Sequence, residues 1–322
     1  MYKTSAAVTL AALIASPAIA DGVTYAELGY TLNNTSIEDG PFSGDFDLRD
    51  YRLTGAIDYE LGQWVLSAEV DSLDSAGFFG GYYPMRSHQL SGAYRVAPGT
   101  LIGLGLGDTN NLGALGYFYP MPEPAATYEI FGQYRNDMFG AAISHKIYDI
   151  TEGFGPEEWA TTTVAAEVNF AGAELGMVAT QESEEEMMIY QISAAYNQGP
   201  IAARVAVIGF DEQDEKLLNL SGQYEFGAGY RALLNYATIL DAEYEEVDSV
   251  EIGAGYQFGG SVWLDAGIGQ HSIDFEFGDS EEFDTFFIEL NFETGAQERL
   301  DRKLQRALDD DLRDLFIGFG AP

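Results

Sequence analysis

The chain has 322 residues, with 15 Lys and Arg against 52 Asp and Glu, a formal net charge of −37, and no cysteine. Lack of cysteine excludes disulfides, thiolate metal sites and cysteine nucleophiles. The negative field repels nucleic-acid phosphates and attracts cations, which sets nucleic-acid binding aside. The charge is concentrated: residues 21 to 293 contain 46 of the acidic and nine of the basic side chains, and so hold the whole −37.

In chain order, Lys3, the apolar stretch Ala6 to Ala15 and the small-residue site Ala18-Ile19-Ala20 have the layout of a secretory signal peptide cleaved before Asp21. No apolar run reaches the ~18 residues of a transmembrane helix. The expected organisation is a signal peptide at 1–20, a transmembrane β-barrel at 21–293 and a helical tail at 294–322.

Beyond the signal, segments of about ten residues alternate apolar and polar positions, which is the periodicity of a strand with two unlike faces. The joins are alternately very short and long. The short ones read Leu61-Gly62, Ala97-Pro98-Gly99, Asn136-Asp137, Ala171-Gly172, Gln198-Gly199, Gly227-Ala228 and Gly259-Gly260. Sixteen strands are predicted, the first near 23 to 32 and the last near 284 to 293. An even number lets first and last meet antiparallel. The fold class is therefore all-β, a transmembrane antiparallel up-and-down barrel with a C-terminal amphipathic helix outside it.

The even positions Leu218, Leu220, Tyr224 and Phe226, and later Phe286, Ile288, Leu290 and Phe292, face lipid in this phase. The opposite parity carries Glu27, Asp58, Glu69, Glu129, Glu167, Glu174, Glu225, Glu251, Asp265 and Glu289, with Arg52, Arg95, Arg135, Lys146, Arg204 and Arg231. Unpaired charges could not line a dry core without a cost of several kcal/mol, so a wet, acidic lumen is expected. Pore-lining candidates are Arg52, Glu69, Arg95, Glu129, Glu167, Arg204, Glu251 and Asp265.

The longest connector, Asp108 to Ala126, contains Leu112, Leu115, Tyr117, Phe118, Tyr119, Pro120, Met121, Pro122 and Pro124. An apolar, proline-stiffened loop needs a surface to pack on, either the inner barrel wall or lipopolysaccharide and a neighbouring subunit. Strand number, alternating connectors, the long loop after the fifth strand and a last strand ending in Phe292 resemble the general diffusion porins of Gram-negative bacteria. The resemblance covers about residues 23 to 293. It implies passive diffusion of small hydrophilic solutes, a homotrimer, export to the outer membrane among lipid and lipopolysaccharide, and insertion by the barrel-assembly machinery. It also implies a constriction built from the loop, with Asp108, Tyr117, Phe118, Tyr119 and Glu123 as candidates, opposite basic wall residues Arg52, Arg95 and Arg204. Two departures stand out: the loop is less acidic than the family's, and the chain continues past Phe292.

In the tail, Thr294 to Gln297 fits a capping box, and Leu300, Leu304, Leu308, Leu312 and Leu315 form one apolar stripe that Gly318 ends. Glu298 with Arg302, and Arg306 with Asp310, are i,i+4 pairs suited to a solvated face. The stripe could assemble a bundle at an oligomer axis, plug the barrel mouth or lie on the inner leaflet; self-association is the expectation.

Sharper chemistry finds little support. Ser144-His145 and His271-Ser272 are adjacent on strands, so their side chains point to opposite faces and cannot form a nucleophile and base pair; no enzyme is expected. Asp108 to Asn111 and the run Glu182, Glu184, Glu185, Glu186 could hold Ca²⁺ or Mg²⁺ loosely, and no other cofactor is expected. The favoured function is a passive, cation-preferring porin. The alternatives are a substrate-selective channel and a barrel-anchored interaction protein that uses the tail as its partner site.

Overall fold

The computed structural model describes residues 22–316 apart from 38–45, 77–81, 111–124, 150–157, 184–187, 212–214, 241–244, 259–260, 276–280 and 296–297. Eight strands make the first half: β1 (Val23–Ile37), β2 (Phe46–Leu61), β3 (Trp64–Ala76), β4 (Tyr82–Ala97), β5 (Thr100–Thr109), β6 (Ala125–Arg135), β7 (Phe139–Asp149) and β8 (Glu158–Phe170). The second half is β9 (Ala173–Glu182), β10 (Met188–Gln198), β11 (Ile201–Phe210), β12 (Lys216–Phe226), β13 (Tyr230–Leu240), β14 (Glu245–Gln257), β15 (Val262–Phe275) and β16 (Glu281–Gly295). One helix, α1 (Leu300–Phe316), follows.

Each strand pairs antiparallel with its sequence neighbours, and β1 closes on β16 from Tyr25 opposite Gly295 to Ile37 opposite Phe283. Closure satisfies the backbone of every strand from both sides, which is what a hydrocarbon environment requires. The sixteen-strand expectation holds, with several strands running further toward the long connectors than the alternation suggested. Tight turns set the registers. Ala171 and Gly172 have φ of 50° and 84°, the left-handed pair that matches strand twist in a two-residue hairpin, and in the three-residue turn Gly227 to Gly229 the residues Ala228 and Gly229 have 68° and 79°.

The outer face is apolar and bare, with Leu104, Ile130, Leu175, Ile252 and Ile268 each more than half exposed. Aromatic rings cluster at the tight-turn end: Trp64 with Tyr94 at 5.1 Å, and Tyr230 with Tyr256 and Tyr256 with Phe258 at 4.9 Å. That placement suits an interfacial girdle, where an apolar ring body carries a polar edge.

The helix overturns two expectations. It lies inside the barrel, not outside it, and its stripe is spent within its own chain: Leu300, Leu304, Leu308 and Leu312 are 0–3 % exposed, packed against the inner faces of β6 to β9. These four leucines are thereby taken from any bundle at an oligomer axis, and the side chain of the fifth, Leu315, lies outside the described residues. At ~1.5 Å rise per residue its 17 residues span ~25 Å, about the height of an outer-membrane apolar band. Thr294, the expected cap, is still in β16, opposite Ala26, and its expected partner Gln297 lies outside the described residues. The first helical amide, Leu300 N–H, instead donates to Gln133 Oε1 of β6 at 3.0 Å. The wall itself therefore caps the helix, satisfying a donor that would otherwise be orphaned.

Candidate functional site

The lumen is where the sequence concentrates its charge, and α1 meets that charge in register. At the tight-turn end the helix brings in cations. Arg302 reaches Asp58 at 2.8 Å and Glu69 at 2.9 Å, Arg299 reaches Glu129 at 2.8 Å, and Lys303 reaches Glu174 at 2.6 Å and Glu167 at 3.2 Å. Arg306 pairs with Glu27 and with Glu298. Arg299 also stacks on Phe131, 3.9 Å from the ring centroid, a geometry worth ~1–2 kcal/mol when desolvated. Further along the helix the polarity reverses: Asp310 pairs with Arg52 at 2.5 Å and Asp311 with Arg204 at 2.7 Å.

Burial perturbs the helix groups. Burial alone opposes the charge on Arg302, yet Glu69, Asp58 and Glu298 together raise its pKa well above the usual value. Arg299 is likewise raised by Asp301 and Glu129 against its burial. Glu298 is pushed up to about 7 by burial, with Glu69 and Asp58 adding to the rise and Arg302 pulling against it. Asp309 is pushed up to about 7 by burial, with Asp310 adding to it and Gln305 and Arg52 opposing. Asp311 is raised by burial against its bonds to Arg204 and Gln191.

Toward the long-connector end the inner wall changes character. Tyr148, Trp159, Ile189, Ile208, Leu217, Val247 and Phe283 are buried and form one cluster with Leu308 and Leu312, joined by the partly buried Phe210 and Ile239. These residues sit at inward positions close to the long connectors on β7, β8 and β10 to β14, and on β16. They form an apolar collar around the far half of the helix. The collar was missed in the sequence because only charges were followed on the inward parity, although the same parity shows apolar residues at these strand ends.

Away from the helix contacts the lumen keeps polar space. A cavity of about 470 Å³ separates α1 from the β10 to β16 wall and is lined by Asn197, Arg204, Gln223, Asn235, Glu251, Glu289 and Asp310 among others. A wider space of about 870 Å³ at the tight-turn end, bounded by Asn169, Glu174 and Lys303, meets it at Ala195, Asn197 and Arg204. A smaller one, about 170 Å³, lies between Arg302 and the wall carrying Arg52, Glu69, Glu129 and Lys146.

The structure sorts the pore-lining candidates into two groups. Arg52, Glu69, Glu129 and Arg204 contact the helix segment directly, as does Glu167, which also takes Arg135 at 2.6 Å. Asp265 is fully buried against Arg231 at 2.5 Å, and Arg95 pairs with Glu60 near a tight turn. Glu251 and Arg204 line the 470 Å³ cavity, and Glu251 is the carboxylate of the eight that faces it. Among the constriction-loop candidates, Asp108 belongs to β5, on its outward parity, 3.3 Å from His88 Nδ1; Tyr117, Phe118, Tyr119 and Glu123 lie outside the described residues. So do Glu184, Glu185 and Glu186, while Glu182 is buried on the inward face of β9. The i,i+4 pair of Glu298 and Arg302 forms at 2.9 Å, but buried in the lumen and not on a solvated face; Arg306 and Asp310 each take a wall partner instead. Ser144 is buried inward while His145 points outward to Thr162 Oγ1 at 3.0 Å, so the two diverge as adjacent strand residues must.

No protein-family model matches the chain, and no curated protein matches it. Solved structures do. A triple mutant of the Rhodopseudomonas blastica porin superposes with a TM-score of 0.51 at 14 % identity, covering 84 % of this chain and 100 % of that one. A double mutant of the same porin gives 0.51 at 15 %, with the same coverage of both chains. At this identity the likeness establishes the fold alone, a closed sixteen-strand antiparallel barrel.

Proposed function

We propose that this chain is an outer-membrane channel through which small hydrophilic solutes and ions diffuse passively, with a preference for cations. One observation carries the reading. Beside its contacts to α1, the β10 to β16 wall keeps a polar cavity with Glu251, Glu289, Asn235 and Gln223 facing it, inside a barrel whose outer face is apolar. Charged rings in a water-filled passage set ion selectivity, and the excess of carboxylates there favours cations. Export, the outer-membrane location, contact with lipopolysaccharide and assembly as a trimer fit the same reading and the porin-type fold.

The wall charges also decide which residues to test. Glu69 and Asp265 are held by Arg302 and Arg231, so neutralising either would free a cation and disturb packing. Glu251 and Glu289 are the better probes. In bilayer recordings across a salt gradient, Glu251→Gln with Glu289→Gln is expected to move the reversal potential away from the cation limit. An unchanged potential removes this wall from the conduction path; absence of stepped conductance in the unmodified protein removes the channel.

A further inference from the structure

The helix does more than fill space, because the lumen has two unlike zones and α1 matches each. Its cationic first half, with Arg299 just before it, meets six wall carboxylates, on Glu27, Asp58, Glu69, Glu129, Glu167 and Glu174. Its second half puts Leu308 and Leu312 into the apolar collar and its acids onto Arg52 and Arg204. A helix bound only as filler would need no such charge register. Withdrawing it would leave five of these six wall carboxylates without the cations that now pair with them, Glu167 keeping Arg135, and would expose the apolar collar.

We propose that α1 is the channel's own gate and selectivity mask: docked, it narrows the passage to the polar cavity along β10 to β16 and neutralises the acidic wall, and displaced, it leaves a wider route lined by six carboxylates. The proposal rests on the channel reading above. Docking combines desolvated ion pairs, which roughly break even against their desolvation cost, with burial of an apolar stripe that favours the closed state. Weakening the ion pairs therefore shifts the balance toward open without altering the barrel strands.

The test uses the full-length chain in planar bilayers. Arg302→Gln with Lys303→Gln is expected to raise mean conductance several-fold and to move the reversal potential toward the cation limit, since Asp58, Glu69 and Glu174 lose their helix cations and Glu167 keeps only Arg135. A tether separates gating from a mere change of wall charge. The chain has no cysteine, and a Cβ built on Gly176 falls 3.1 Å from Leu304 Cδ2, so Gly176→Cys with Leu304→Cys places two thiols side by side. Oxidising this pair is expected to abolish the large openings in both the charge-variant and the otherwise unmodified chain, and reduction to restore them; the second background needs no charge variant to fold. Conductance and reversal potential that ignore both the charge substitutions and the tether overturn the gate while leaving the channel in place. No conductance step under any condition overturns the channel reading instead.

Discussion

At the scale of single residues, Gly103 shows how closely the wall and the helix are fitted. A Cβ placed there would overlap the Phe131 ring, and Ala93 lies at 2.9 Å; Phe131 in turn carries the Arg299 guanidinium. A glycine on the inward parity of β5 therefore leaves room for the ring that receives the helix. Gly103→Val is expected to cost about 1–3 kcal/mol, the usual range for overpacking, read as a lower urea midpoint. Leu308, fully buried in the collar, probes the opposite fault. Leu308→Ala is expected to cost about 2–5 kcal/mol through lost transfer energy and a residual cavity, and under the gate reading it raises the open fraction in recordings as well.

At the scale of the helix, buried carboxyls give docking a pH dependence whose sign follows from their shifts. Glu298 and Asp309 titrate near 7 while docked, and near ~4 in a solvated helix. Glu298 is faced by Arg302 and Arg306 from its own segment, by Asp58 and Glu69 from β2 and β3, by Tyr25 from β1 and by Arg135 from β6. Asp309 is faced by Gln305 and Asp310 and by Arg52 and Asp71. The docked state thus binds more protons than the free one. Its stabilisation from these two groups is complete below about pH 4 and lost as pH rises through about 7. Open probability is expected to be greater at alkaline pH than at mildly acidic pH, and Glu298→Gln with Asp309→Asn is expected to flatten that dependence. An open probability that falls on going alkaline contradicts the assignment.

At the scale of the whole molecule, the barrel divides its surface between two solvents. Leu104 sits mid-strand on β5 with its side chain outward and 64 % exposed, a position that only an apolar environment makes favourable in such numbers. Leu104→Arg is expected to destabilise the bilayer-inserted barrel by about 2–4 kcal/mol, the cost of a cation near the midplane, measured as reversible unfolding from lipid. A change close to zero would mean that this face meets water. The acidic excess has a similar division: part of it is neutralised by the helix, and the rest faces the polar cavity on β14 and β16.

The sequence by itself determined the strands, their parity and their number, because a period of two and the position of a tight turn are local properties of the chain. The phase that put Glu69, Glu129, Glu251 and Asp265 on the inner face could be read without knowing any partner. The amphipathic helix was equally legible from its leucine spacing. Where that helix goes was not legible, since its partners lie far away in the chain: Arg302 meets Asp58 across 244 positions and Arg299 meets Glu129 across 170. An apolar stripe states only that it must be buried, and any complementary surface satisfies it. Tertiary structure decided between a bundle, a plug and a membrane surface by bringing the collar and the acidic wall together on one axis. It also turned a lumen expected to be wet throughout into one that is ion-paired at the tight-turn end, apolar over part of the wall at the other, and polar along one side.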